Sequence, residues 1–178
     1  MIRIKFGEII SAKKIKQIKI SNDTGISRNT LSSIANNATD MIKLETIGTL
    51  CTYLGITPGE FFEFHPAVVS ANAEINFVEP LNEFEVKVLT TFKESELLKD
   101  LQLIGNFYVL GDSKESHVEG RLHPDQDFKL NEVAKEYIAA NFTHGLQTEI
   151  SGLIEKAVQN QFKEEFSLRC NVANVALV

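Results

Sequence analysis

The chain has 178 residues, of which 43% are hydrophobic and 24% are charged, and its formal net charge at pH 7 is −6. This length and composition suit one or two globular domains, and no apolar run is long enough to span a bilayer, which argues against a helical membrane protein. Two widely separated cysteines, Cys51 and Cys170, indicate neither a disulfide framework nor a zinc site, and the N-terminus lacks a signal-peptide pattern. We therefore expect a cytoplasmic protein that uses no metal and no other cofactor.

The first third of the chain is predicted to be helical. Apolar residues at helical spacing predict one helix over residues 3–14 and another over residues 43–54, which Gly55 closes. A short turn or helix is then expected to begin at Thr57 and to end in three phenylalanines, Phe61, Phe62 and Phe64.

Between these two helices, residues 17–36 have the internal spacing of a helix-turn-helix. Gly25 is placed in the turn, where the backbone must take up positive φ at little steric cost, and the small Ser21 lets the two helices approach closely. Ser27 is positioned as the N-cap of the second helix, which we expect over residues 28–36. Apolar contacts are expected to fix the angle between the helices, from Ile20, Ile26, Leu31 and Ile34.

The side chains predicted to contact DNA surround these two helices. Arg28 and Asn29 project from the end that would enter the major groove, where arginine reads guanine and asparagine reads adenine or binds a phosphate. Gln17 opens the first helix and Lys43 precedes the next one, so both are placed to contact phosphates. Further contacts are predicted from the N-cap, the second helix and the following loop, by Ser27, Thr30, Ser32, Ser33 and Asn37. A solvated helix surface is the alternative interpretation for Thr30, Ser32 and Ser33, and a solvated helix start is the alternative for Arg28 and Asn29.

This pattern resembles the Xre-type (lambda-repressor-like) helix-turn-helix family, and especially its short members that begin with MIRI and contain TGISRNTLS and LGITPGEFFEF. The resemblance covers about residues 1–66. It implies a DNA-binding transcription regulator, usually a dimer that binds two half-sites about one helical turn apart. Lys16 departs from the family pattern, which has a Ser or Thr cap there, and residues 36–39 lack the usual basic residue. Both departures predict weaker DNA contacts rather than a different fold.

Charge is unevenly divided along the chain. Residues 1–66 contain eight basic and six acidic side chains, whereas the remainder contains ten basic and 18 acidic ones. A basic head on an acidic body is typical of a DNA-binding domain joined to an effector or oligomerisation domain. We place the linker at residues 67–72 and the second domain at residues 73–178.

The second domain is predicted to be α+β. Alternating and continuous apolar segments predict four antiparallel strands, at residues 73–77, 84–88, 101–109 and 116–122. The helical period then returns over residues 130–142 and 146–162. At the end of the chain, the alternating Leu168, Cys170 and Val172 predict either an added strand or a partner-binding tail. The expected architecture is thus multi-domain, with an all-α helix-turn-helix domain followed by an α+β domain of about four strands and then two helices.

The order of four strands and then two helices is similar to that of the SecB protein-export chaperone fold. This likeness concerns element order over residues 68–165 and rests on no shared motif, and a fold alone does not establish an activity. It implies a sheet or helix face that oligomerises. We therefore expect a homodimer formed through the C-terminal domain.

Three classes of function stay open. The first is a DNA-binding transcription regulator, a repressor of phage, mobile-element or bacterial operon origin, and the second is an antitoxin-type regulator whose C-terminal domain binds a partner protein. The third is a self-cleaving repressor, which is disfavoured because the chain has no Ala-Gly dipeptide and ends in two long predicted helices. We therefore expect no enzymatic activity, and we expect double-stranded DNA, a second copy and a protein or peptide effector as partners.

Overall fold

A computed structural model describes residues 1–79, 81, 83–111 and 116–177. The chain divides into two compact units, Met1–His65 and Pro66–Val178. Among the described residues, no helix is both long enough and apolar enough to cross a membrane.

The N-terminal unit consists of five helices and a two-stranded sheet. Its elements in chain order are β1 (Ile2–Ile4), α1 (Phe6–Ala12), α2 (Gln17–Thr24), α3 (Arg28–Ala35), α4 (Leu44–Leu54), α5 (Pro58–Phe61) and β2 (Phe62–Phe64).

A strand occupies the start of the chain, where the helical period over residues 3–14 predicted only a helix. β1 pairs antiparallel with β2, with Ile4 opposite Phe62, because β-branched and aromatic side chains favour paired strands. Arg3 is 8% exposed and donates a 2.6 Å hydrogen bond from Nε to Glu63. The N-terminal unit is therefore mostly helical rather than all-α, and α1 is shorter than predicted.

The other helices of this unit confirm the sequence-based predictions closely. α4 begins after Lys43 and ends at Gly55, which has a φ of 65°. α5 begins with a capping box, in which the Thr57 side chain accepts from the backbone N–H of Glu60 and the Glu60 carboxylate accepts from the N–H of Thr57. Hydrophobic side chains from all five helices and β1 form one core, made of Ile4, Phe6, Ile10, Ile20, Leu31, Ile34, Ile47, Leu50, Cys51, Leu54 and Phe61.

The described part of the C-terminal unit is a five-stranded sheet with two helices. Its elements are β3 (Val68–Val78), β4 (Glu83–Glu94), β5 (Leu97–Leu110), β6 (His117–Pro124), α6 (Asn131–Asn141), α7 (His144–Phe166) and β7 (Arg169–Val175).

The strand order in this sheet is β3-β4-β5-β6-β7. The first four strands are antiparallel neighbours, whereas β7 pairs parallel to β6, with a register shift between Gly120 and Arg121. The prediction of four strands was therefore one short, and the alternating segment after the helices is an added strand. Parallel pairing requires a crossover connection, and α6 and α7 form that crossover between β6 and β7.

The helices cover one face of the sheet. The ring of Phe162 on α7 packs against Phe84 on β4 and Phe107 on β5, at centroid distances of 5.2 and 5.6 Å. Because side chains alternate along a strand, the intervening residues point to the opposite face. Within the described part of this unit, no helix packs against that opposite face, which is called the uncovered face below. It contains a cavity of about 670 Å³, whose lining includes Glu85 and the half-exposed Tyr108.

Candidate nucleic-acid interface

The turn between α2 and α3 has the geometry that the sequence predicts. Gly25 has a φ of 76° and donates its backbone N–H to the carbonyl of Ser21 at 2.9 Å. The side chain of Thr24 donates a hydrogen bond to the carbonyl of Ile20 at 2.6 Å, in the last turn of α2. Glycine takes up this left-handed conformation at little cost, so the turn holds the second helix in one direction.

Ser27 is the N-cap of α3, as predicted. Its hydroxyl oxygen accepts a 3.1 Å hydrogen bond from the backbone N–H of Thr30 and lies 2.9 Å from the Thr30 hydroxyl. Both side chains are therefore engaged in starting the helix. An N-cap satisfies one of the free amides of the first turn, and the remaining amides of this exposed helix end are suited to a phosphate.

The inner side of α3 is fixed by burial. Leu31 and Ile34 are 0% and 1% exposed, and they pack in the core with Ile20 of α2 and Leu50 of α4. This packing fixes the rotation of α3 about its axis and thereby decides which of its residues face solvent.

The outer side of α3 carries the predicted reading residues. Arg28, Asn29 and Ser32 are exposed, and Ser33 is half-buried. Among the described residues, no hydrogen bond or ion pair engages the side chain of Arg28 or Asn29. One helical turn separates Arg28 from Ser32 and Asn29 from Ser33, so the four residues share one face.

Asn36 extends this face, although it was not among the predicted contacts. It is the exposed C-cap residue of α3, and its amide nitrogen lies 3.5 Å from the hydroxyl of Ser32. Its spacing of four residues from Ser32 was the available signal.

Asn37 has a role within the fold. Its side-chain Oδ1 accepts from the backbone N–H of Ile4 at 2.6 Å, and its Nδ2 donates to the carbonyl of Ile4 at 3.0 Å. The amide that was predicted to contact DNA is thus engaged with β1, and the chain at Asn37 takes up a φ of 51°.

Two predicted phosphate contacts lie at the starts of helices. Gln17 is the first residue of α2 and is half-buried, while Lys43 is the exposed N-cap residue of α4. Neither α2 nor α4 has a side-chain N-cap bond. The N-cap residue of α2 is Lys16, where the family pattern has a Ser or Thr cap, and the sequence therefore predicted a helix start without a side-chain cap. The free amides at these helix ends favour anions through both hydrogen bonding and the helix dipole.

The acidic side chains of this unit are mostly held by partners. Glu8 and Glu63 both bond to the guanidinium of Arg3. The bonds from Thr57 lower the pKa of Glu60. Asp23 accepts a 2.7 Å bond from the phenol of Tyr53, whose pKa it raises.

The basic side chains contrast with the acidic ones. Six of them are exposed and form no ion pair within the described ranges, namely Lys13, Lys14, Lys16, Lys19, Arg28 and Lys43. Unpaired cations next to free helix amides produce the positive surface that the phosphate backbone attracts.

Comparison with known proteins gives a match in the N-terminal part of the chain. Residues 5–67, about a third of the chain, match the family model of the Cro/C1-type HTH DNA-binding domain. No curated protein and no solved structure matches the chain, so the likeness in element order to the SecB fold stays a prediction. The resemblance to the Xre-type family is confirmed for the N-terminal segment, and residues 5–67 form a helix-turn-helix DNA-binding domain of the Cro/C1 type.

Proposed function

We propose that the protein is a sequence-specific DNA-binding transcriptional regulator that acts as a dimeric repressor of phage, mobile-element or bacterial operon origin. The observation that carries this proposal is the exposed outer face of α3, whose Arg28 and Asn29 have no partner among the described residues. Such side chains at the start of a rigidly packed helix are available for base edges in the major groove. The proposed activity is binding in the cytoplasm, without a catalytic step or a cofactor.

Each proposed contact has a distinct role. Arg28 donates two hydrogen bonds to a guanine, and Asn29 reads an adenine or binds a phosphate. Ser32 and Ser33 add hydrogen bonds or thymine-methyl contacts from the same face. Ser27 and Thr30 act through the N-cap that they form, which presents the first-turn amides to the backbone.

Phosphate contacts position the helix on the duplex. Gln17 at the start of α2 and Lys43 at the start of α4 are proposed to bind phosphates, which fix orientation without reading sequence. Asn37 is left with its structural role, because both atoms of its amide are engaged with Ile4.

Dimerisation is proposed for the C-terminal unit. From residue 67 onward the chain carries 18 acidic and ten basic side chains, a balance that disfavours contact with DNA. A single helix-turn-helix domain covers about half of a typical operator, so two copies are needed for high affinity.

Selection of bound sequences from a random duplex pool tests this function. The full chain is used at low and at moderate salt, since phosphate contacts weaken steeply as salt rises. We expect enrichment of an inverted repeat whose half-sites lie about one helical turn apart. A matched selection with the double variant Arg28→Ala/Asn29→Ala controls for enrichment that does not depend on α3. Equal enrichment by both proteins, or none by the wild type at either salt, would contradict the proposal.

The second candidate is an antitoxin-type regulator, whose C-terminal unit binds a partner protein. The observation that favours it is the cavity on the uncovered sheet face, lined by apolar Ile104, Tyr108 and Leu110 beside charged Glu119 and Arg121. Isolation of the protein from its native host at its natural level tests it. A stoichiometric second chain that Tyr108→Glu releases would support this candidate, whereas the protein alone would contradict it.

A further inference from the structure

One edge of the five-stranded sheet is open over a long distance. β3 has 11 residues and pairs only with β4, so within the described part of the chain its outer side lies against no strand. Its register with β4 runs without a shift from the Val68–Lys93 pair to the Val78–Glu83 pair. A strand of this kind presents a regular row of unpaired backbone N–H and C=O groups.

The opposite edge is built differently. β7 has seven residues, begins at Arg169 and contains a register shift opposite Gly120 and Arg121. Short length, charge and irregular register are the features by which proteins protect a sheet edge against further pairing. β3 lacks them, since its sequence VVSANAEINFV has no proline, no lysine and one charged residue, Glu74.

We infer that β3 pairs antiparallel with β3 of a second copy about a twofold axis, which joins the two sheets into one of ten strands. This inference rests on the proposed function, because it identifies the interface of the proposed dimer. A twofold axis requires that both copies contribute the same strand to the interface. β3 can meet this requirement because its outer side is open and its register is regular.

Side-chain chemistry selects the register. A twofold axis at Ala73 places Val69 opposite Phe77 of the second copy on the helix-covered face. On the uncovered face the same register places Glu74 opposite Asn72, a neutral partner. A shift of one position in the axis, to Glu74, would place two carboxylates directly opposite each other, which is destabilising.

This register also sets the distance between the two chain segments that lead from the sheets to the N-terminal units. β3 begins at Val68, three residues after the N-terminal unit ends at His65. In the proposed ladder Val68 lies opposite Val78 of the second copy. The two Val68 residues are therefore ten residue steps apart, or about 34 Å at roughly 3.4 Å per step. Adjacent half-sites on DNA are separated by a similar distance, roughly 34–36 Å.

Cysteine cross-linking tests the register directly. In a Cys170→Ser background, Ala73→Cys places two thiols opposite each other on the axis, at a Cα separation of about 4.5–5.5 Å that a disulfide can span. The matched control Ala71→Cys, on the same face, places its two thiols about 14 Å apart. Mild oxidation is expected to produce a covalent dimer from Ala73→Cys and none from Ala71→Cys. Circular-dichroism melting of both variants checks that they fold.

Charge substitution gives a second readout that leaves the strand backbone intact. Asn72→Glu places a carboxylate opposite Glu74 twice in the dimer and is expected to weaken dimerisation roughly two- to thirtyfold. Adding Glu74→Lys turns both pairs attractive and should restore the dimer. The control Asn174→Glu introduces the same charge at an exposed position on β7, opposite Arg121, and should leave dimerisation unchanged in sedimentation equilibrium.

The possible failures are distinguishable. If the chain is a dimer but both cysteine variants cross-link equally or not at all, this interface is wrong. The interface is also wrong if Asn72→Glu does not weaken the dimer. Both results leave the proposed repressor intact. A monomeric chain that still enriches a single half-site would overturn both the interface and the dimeric form of the function. A dimer that enriches no DNA sequence would contradict the proposed function while the cross-linking result still decides the interface.

Discussion

Asn37 binds the backbone of Ile4 through both atoms of its side-chain amide. The carbonyl oxygen accepts from the N–H of Ile4 at 2.6 Å, and the nitrogen donates to the carbonyl of Ile4 at 3.0 Å. Ile4 is buried, so these two bonds satisfy backbone groups that have little access to water. The pair connects β1 with the loop that follows α3.

Removal of this amide should therefore cost stability. Asn37→Ala is expected to lower the free energy of unfolding by about 1–3 kcal/mol, because it leaves backbone groups of Ile4 without a partner and places alanine at a φ of 51°. Urea denaturation measures the change. Asn36→Ala, at the exposed neighbouring position, is the control and should stay within about 0.5 kcal/mol of the wild type. Equal stability of the two variants would contradict the structural role of Asn37.

Two substitutions of Ser27, the N-cap residue of α3, separate an effect on stability from an effect on DNA affinity. Ser27→Ala removes the acceptor for the N–H of Thr30 and should lower the unfolding free energy by about 0.5–2 kcal/mol. Ser27→Asp keeps an acceptor at that position, so stability should be retained. Its carboxylate would face the phosphates, so binding to the selected duplex should fall. A thermal melt and a titration with labelled DNA measure the two effects, and an Asp variant that binds as tightly as the wild type would place Ser27 away from the DNA.

Thr90 is a buried hydroxyl without a partner. It is 0% exposed, and its Oγ1 makes no hydrogen bond in the described structure. Thr90→Val keeps the branched shape that suits a strand and removes the unsatisfied group, so we expect an increase in stability of about 1 kcal/mol. Thr91→Val is the control on the adjacent residue, whose hydroxyl donates to Asp100 at 2.8 Å. The control should reduce stability by about 0.5–1.5 kcal/mol. A loss of stability in Thr90→Val would show that the Thr90 hydroxyl has a hydrogen-bond partner in solution.

Local features of the site could be predicted from sequence because they depend on neighbours in the chain. Gly25 in the turn, Ser27 at the N-cap and the burial of Leu31 and Ile34 all follow from residue type and helical period. The end of α4 at Gly55 follows in the same way. Each of these positions is decided within about one helical turn of sequence.

Features that depend on distant partners were not predicted. β1 is a strand because β2 lies beside it, 60 residues later in the chain at the Arg3–Glu63 pair. The Asn37 amide contacts Ile4 across 33 residues, a partner that its position in a loop does not indicate. The parallel pairing of β7 with β6 likewise depends on the crossover through two helices, which no local period encodes.

The variant Lys43→Ala tests whether Lys43 binds a phosphate without reading the base sequence. It is the exposed N-cap residue of α4, and Lys43→Ala should weaken binding to all duplexes by a similar factor. The slope of log affinity against log salt concentration should become shallower by about one, since one fewer counterion is released. Lys93→Ala, at an exposed position on β4 of the acidic unit, is the control and should change neither quantity. A Lys43 variant with altered base preference would mean that this residue reads sequence.

The base preference of Arg28→Ala decides whether Arg28 reads sequence, because Arg28 is the proposed guanine-reading residue of α3. Affinity is measured for the selected duplex and for every single-base change in one half-site, with the wild type and the variant side by side. We expect a loss of about 1–3 kcal/mol on the selected duplex and a relaxed preference at one base pair in the half-site, with the other positions unchanged. Unchanged affinity together with an unchanged preference at every position would contradict the assignment of Arg28 as a reading residue of α3.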